Sequence, residues 1–171
     1  MGVPLRHGSI PGSYFVTSRT WESRRLFITE PVCSLFVESL LRYRQNGAYE
    51  LHAFVLMPDN FHVLLTPAHD TTLERAVQLI KGGSARMLGL ARRLQFPVWQ
   101  RGVSDHRIPD AFDYGNHVRY VDQNPVRKRL VVEAREYRWS SVSGQYEMHD
   151  PPQGLKPQER QGQFGTAEAV P

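Results

Sequence analysis

Two runs rich in apolar and strand-favouring residues, Tyr49 to Leu56 and Phe61 to Thr66, are split by Met57-Pro58-Asp59-Asn60. Proline presets the backbone angle a turn needs, and the aspartate side chain bonds its own backbone there, so the runs read as paired antiparallel strands. Side chains two apart on a strand share a face. Asn60 and His62 therefore project together, and Phe61 points the opposite way.

The neighbouring segments extend this pattern. Ser13 to Thr20 is aromatic and β-favouring and reads as a first strand. From Pro31 to Asn46, the residues Val32, Leu35, Phe36, Leu40, Leu41 and Tyr43 recur at helical spacing before the stop signal Asn46-Gly47. Thr71-Thr72-Leu73-Glu74 opens a second helix whose apolar face runs to Leu94, with a break or kink expected at Gly82-Gly83. A short segment from Pro97 to Gln100 leads into a polar loop through Asp110. A third helix follows from about Ala111 to Gln123, with Pro125 limiting its far end. Residues Leu130 to Gln145 form a mixed terminal segment. This order predicts an α+β fold, with helices packed on one face of an antiparallel sheet.

A chain of 171 residues suits one domain. We place a loose N-terminal arm at 1–12, the domain at 13–148, and a tail rich in Pro, Gln and Gly at 149–171 that is expected to be disordered. The longest apolar run, Ala53 to Met57, is far below the roughly 20 residues of a membrane helix, and the start lacks a signal core. A cytoplasmic protein without membrane contact is expected. Cys33 is the only cysteine, which excludes an internal disulfide and a multi-cysteine zinc knuckle. A metal would have to use His, carboxylate or amide ligands. The net charge of +4 comes from 21 Lys+Arg against 17 Asp+Glu. Most of these cations are arginine, whose guanidinium binds phosphate bidentately and stacks on bases.

Two small constellations could carry chemistry. Asn60 and His62 could share an ion from one strand face, or be a hydrogen-bonded surface pair. On the third helix Tyr120 and Asn124 lie four apart and stack on one face, with His117 three residues before the tyrosine. Tyr120 could be a nucleophile or an amphipathic core residue. A phenol of pKa about 10 attacks poorly at neutral pH without a base, a cation or a polarised electrophile. His52, beside an apolar strand, reads as structural, and Asp105-His106-Arg107 could be read as a zinc or catalytic-triad fragment, but no nearby Ser or Cys has the required context.

A strand bearing His-hydrophobic-His, followed by a helical tyrosine, is the constellation of HUH endonucleases. The chain resembles the REP-associated tyrosine transposases, a single-tyrosine HUH family. The segments that carry the resemblance are His52-Ala53-Phe54-Val55-Leu56-Met57-Pro58-Asp59, Leu79-Ile80-Lys81-Gly82-Gly83, Trp99-Gln100-Arg101-Gly102, Asp105-His106-Arg107-Ile108, Tyr120-Val121-Asp122-Gln123-Asn124-Pro125-Val126 and Glu136-Tyr137-Arg138-Trp139-Ser140-Ser141. They occur in family order from about Ser13 to Ser141.

The resemblance implies an RRM-like or ferredoxin-like palm acting on single-stranded or hairpin DNA, such as repetitive palindromes. It assigns Tyr120 as nucleophile, cleaving and rejoining DNA through a 5′-phosphotyrosine. It assigns His62, the residue at position 60 and Asn124 as ligands of Mg²⁺ or Mn²⁺. The family's first histidine falls on Asn60 here. An amide oxygen suits a hard cation but is carried on a shorter side chain, so weakened or lost cleavage with DNA binding retained is expected.

The expected DNA contacts are Arg19, Lys81, Arg101, His106, Arg107, Arg119 and Arg127. They belong to a wider basic set that includes Arg24, Arg25, Arg86, Arg92, Arg93, Lys128 and Arg129, beside Trp21, Trp99, Phe112 and Tyr114. The alternative for these is a solvated basic face with core aromatics. A catalytically inactive DNA-binding protein is the competing function, and an RNA-binding module of similar architecture is the third. Monomer and homodimer are equally compatible with the sequence.

Overall fold

The Pro58-Asp59 hairpin is present in a computed structural model, which describes residues 10–91 and 96–155. Strand β2 (Tyr49–Met57) pairs antiparallel with β3 (Asn60–Pro67), Met57 standing opposite Asn60. The other elements are β1 (Tyr14–Arg19), α1 (Glu30–Gln45), α2 (Leu73–Leu90), β4 (Ser104–Arg107) and α3 (Ala111–Arg127). One four-stranded sheet results, ordered β2-β3-β1-β4 with every neighbouring pair antiparallel. A βαββαβ run in that order is the ferredoxin-like arrangement, and α3 is added after it.

Helices α1 and α2 cover one face. Phe36, Leu40, Ile80 and Leu88 meet Val16, Leu51, Phe54, Leu56, Phe61 and Val63 there in the main core. Helix α3 lies across the other face, where Tyr114, Val118 and Val121 meet Ala53, Val55, Met57 and Leu64. The one-sided layer expected from element order thus describes α1 and α2. The reason for the second layer is in β2, whose residues from Leu51 to Met57 are all buried, so the sheet needs cover on both sides. A bulge sets its faces. The register slips between Leu51 and Ala53, with His52 as the extra residue, so the side-chain parity changes and Phe54 and Leu56 follow Leu51 into the main core.

Three boundaries depart from expectation. Helix α2 runs unbroken through Gly82-Gly83 and ends at Leu90. Gly83 serves close packing: a Cβ there would lie 2.3 Å from Cε2 of Tyr43 on α1. Helix α3 continues past Pro125 to Arg127. A proline so near the end costs one bond to the Val121 carbonyl, and the helix needs only two more residues. The polar loop before Asp110 contains β4, an edge strand paired with β1. All four of its side chains are exposed, so it has no hydrophobic alternation to read.

Residues 149–155, assigned to the tail from composition, are mostly exposed but tied to the domain at His149 and Leu155. The His149 amide donates to the Leu51 carbonyl at 2.8 Å, and Leu155 lies against the α3-side cluster. The rest of the tail, arm residues 1–9, and Arg92, Arg93 and Leu94 lie outside the described residues. Among the described residues no helix is long and apolar enough to cross a membrane.

Candidate active site

His62 is buried on the sheet face that α3 covers. Its Nδ1 lies 2.7 Å from Oγ1 of Thr17, the residue opposite it on β1. The imidazole stacks on Phe15, with centroids 5.6 Å apart and planes inclined by 8°. Burial, and then the charges of Arg127, Arg19 and Lys128, push its pKa down to about 4, so the ring is neutral near pH 7. The tautomer in which Nδ1–H donates to Thr17 leaves Nε2 with a free lone pair.

Asn60 shares this face at the start of β3. Its Nδ2 donates to Asp59 Oδ1 at 2.6 Å. Its Oδ1 is buried and has no hydrogen-bond partner among the described residues. An unpaired buried acceptor costs about 1–3 kcal/mol, which a ligand at that atom would recover.

Helix α3 brings the tyrosine to this pair. The Tyr120 ring stands edge-on to His62 at 5.3 Å and edge-on to Phe15 at 5.6 Å. It is 39% exposed, so the ring is reachable from solvent. Arg127 lies over it, with the guanidinium carbon 4.2 Å from the centroid, and donates to the Tyr120 carbonyl at 2.9 Å. The bond anchors the guanidinium, and the guanidinium covers the ring. Asn124, one turn further along, is buried. A cleft of about 220 Å³ opens beside Asn60 and is walled by Arg19, Arg25, Lys128, Pro58 and Asp59.

The donor chemistry fits the divalent ion that the resemblance implies. Asn60 offers an orphaned oxygen, and His62 a neutral imidazole. Neither brings negative charge, and the cations at Arg19, Arg127 and Lys128 surround His62. Around the cleft Arg19, Arg25 and Lys128 outnumber the Asp59 carboxylate, which suits the site to an ion that arrives together with phosphate.

The structure brings Arg19 and Arg127 to this site and engages the other expected DNA contacts elsewhere. Lys81, whose pKa burial lowers to about 8, donates to the carbonyls of Gln100 at 2.6 Å and Gly102 at 2.7 Å, which holds the loop bearing exposed Arg101. Arg107 donates to the Pro11 carbonyl at 3.0 Å, and Arg119 to Asn116 Oδ1 at 2.5 Å. His106 lies 2.8 Å from Asp113. Trp99, set among the stacking aromatics by its neighbours in sequence, belongs to the core. It stacks on Phe27 at 5.2 Å, and its Nε1 donates to Ser84 Oγ. Trp21 and Phe112 are exposed. Phe15 and Thr17 frame His62 without having been singled out. Their parity on β1 was readable, but the β1–β3 register that sets them against His62 was not.

No family model matches the chain. It is 23% identical over 135 residues to the REP-associated tyrosine transposase of Escherichia coli strain K12, a match covering 75% of this chain and 79% of that protein. It is 26% identical over 141 residues to a Haemophilus influenzae protein of the same family name, covering 76% and 79%. The chain resembles the REP-associated tyrosine transposases. A solved REP-associated tyrosine transposase bound to a REP hairpin shares the fold, with a TM-score of 0.70 over 99% of both chains at 20% identity.

Proposed function

We propose that the chain binds hairpin-forming single-stranded DNA of the repetitive-palindrome kind. It cleaves and rejoins that DNA through Tyr120, more slowly than a chain with histidine at position 60. The observation that carries this reading is the edge-on approach of a half-exposed Tyr120 to a neutral His62, two residues along β3 from Asn60, which lines a basic cleft.

The cleft supplies the substrate contacts. Arg19, Arg25 and Lys128 neutralise backbone phosphates, and Arg127 keeps the Tyr120 ring in one orientation. Asn60 Oδ1, His62 and Asn124 would hold Mg²⁺ or Mn²⁺, which when bound draws charge from the scissile phosphate. The Tyr120 hydroxyl attacks phosphorus and loses its proton to solvent. The bond to the 3′-oxygen breaks, and that oxygen takes a proton from solvent and leaves as a hydroxyl. The 5′-phosphotyrosine retains ester bond energy, so a 3′-hydroxyl can reverse the step and rejoin the strand without a nucleotide cofactor.

Position 60 sets the rate. An amide reaches less far than an imidazole, and a misplacement of about 1 Å costs about a hundredfold. A DNA-binding protein without cleavage is the second reading, favoured by the charges of Arg127, Arg19 and Lys128 that bear on His62.

A labelled palindromic hairpin with Mn²⁺, resolved on a denaturing gel, tests the proposal against Asn60→His. A slow covalent adduct that forms faster in the variant supports it. Adduct from neither chain, with a retained gel shift, leaves the binding protein. Adduct formation undiminished relative to Asn60→His removes the role given to position 60, and loss of hairpin affinity removes both readings.

A further inference from the structure

A second cluster of donors lies on the far side of Phe15 from His62. His106 on β4 places Nε2 2.8 Å from Asp113 Oδ2, and His117 Nδ1 lies 3.4 Å from Asp113 Oδ1 while donating to the Asp113 main-chain carbonyl at 2.9 Å, so Nε2 keeps the lone pair of the neutral His117 ring. One carboxylate thus spans two imidazoles, whose rings stack at 5.0 Å with planes 23° apart. One donor atom from each of the three residues can be chosen so that all lie within 4.8 Å of one another.

The backbone delivers these side chains independently of the tyrosine. Asp113 and His117 are four apart on the first turns of α3, so they share a face. Asp110 fixes the start of that helix by accepting from the Asp113 amide at 2.8 Å. His106 pairs across the ladder with Phe15, whose ring packs 4.6 Å from His117. Strand β4 has no buried side chain of its own, so this cluster adds to the β1 ladder and to buried Ile108, just after the strand, in holding it beside α3.

We propose that His106, Asp113 and His117 form a metal site for a borderline divalent ion of the Zn²⁺ class, separate from the Asn60–His62 site. Two imidazoles and a carboxylate suit Zn²⁺, Co²⁺ or Ni²⁺ better than Mg²⁺. With metal–ligand bonds of about 2.0–2.2 Å, tetrahedral donors sit roughly 3.3 Å apart, a spacing within the range these atoms already span. Three protein ligands leave a fourth position for water or a phosphate oxygen. The half-exposed His106 keeps the site open to an incoming ion. A bound ion clamps the edge strand to α3 one turn before Tyr120 and so positions that helix. None of its ligands is Tyr120, Asn60 or His62, so it stands whether or not the chain cleaves DNA.

The test strips the full chain with chelator and titrates it with Zn²⁺ by calorimetry and with Co²⁺ by visible absorption. Wild type is compared with His106→Ala, His117→Gln and Asn60→Ala. One equivalent is expected in wild type and Asn60→Ala, with affinity reduced about tenfold or more in the two histidine variants. Zn²⁺ should also raise the Tm of wild type and not of His106→Ala. Truncating half-exposed His106 leaves the core untouched, so that variant remains informative if His117→Gln does not fold. Absence of saturable binding overturns the proposal. So does binding unchanged in His106→Ala, or binding lost in Asn60→Ala alone.

Discussion

The Tyr120 ring stands at 89° to the His62 imidazole, with centroids 5.3 Å apart. Two residues 58 positions apart are brought together because α3 crosses the sheet face that β3 presents through Asn60 and His62. Phe15 touches both rings, and the Arg127 guanidinium lies over the tyrosine ring. The ring is thereby held for aromatic reasons that do not depend on its hydroxyl.

Tyr120→Phe follows from that separation. The substitution keeps every ring contact and removes only the oxygen. Covalent protein–DNA adduct should vanish on a denaturing gel, with hairpin affinity in a gel shift and thermal stability nearly unchanged. A comparable loss of affinity would mean that the hydroxyl binds DNA rather than attacking it.

The cleft cations should act through phosphate. Neutralising one phosphate contact lowers the slope of log affinity against log salt by about 1. Arg25→Ala and Lys128→Ala are each expected to flatten that slope for hairpin DNA by about this amount, and to weaken binding across hairpin sequences alike. A change confined to one sequence would instead indicate base readout at that residue.

Adjacent glycines in α2 should respond oppositely to alanine. A Cβ on Gly82 meets nothing within 4 Å, so Gly82→Ala should gain the helix-propensity difference, about 0.5–1 kcal/mol. A Cβ on Gly83 would lie 2.3 Å from the Tyr43 ring, and displacing that half-buried ring disturbs the α1–α2 seam. Gly83→Ala should therefore be less stable than Gly82→Ala by about 1 kcal/mol or more in urea unfolding. Equal midpoints would show that Tyr43 moves aside freely.

The hairpin and α1 were legible because their signals are local: a Pro-Asp turn and a 3.6-residue repeat. What was illegible depends on partners distant in the chain. Ser104–Arg107 is a strand only because β1 offers its edge, and its exposed side chains carry no pattern. Gly83 looked like a helix breaker because Tyr43, which occupies the missing Cβ volume, comes from another helix. Trp99 sits among arginines in sequence yet fills the core against Phe27 and Ser84. Thr17 meets His62 only through the β1–β3 register.

The bulge residue His52 makes the fold acid-sensitive. It is buried, with Nδ1 2.7 Å from the Asp150 carbonyl and Nε2 2.8 Å from Thr66 Oγ1. The carbonyl can only accept, so Nδ1 carries the proton, and Nε2 of the neutral ring accepts from the threonine. Burial lowers its pKa below the ordinary 6.5. As pH falls through about 6.5, the unfolded chain binds a proton that the folded chain resists, so this contribution is complete above that pH and is lost below it. His52→Gln removes both the titration and part of the hydrogen bonding. Wild type should be more stable than the variant by about 1–2 kcal/mol at pH 7.5, and the gap should narrow by pH 5. His62 titrates with the same sign in both proteins and cancels from the difference. A gap that stays constant between the two pH values would show that His52 does not resist protonation in the fold.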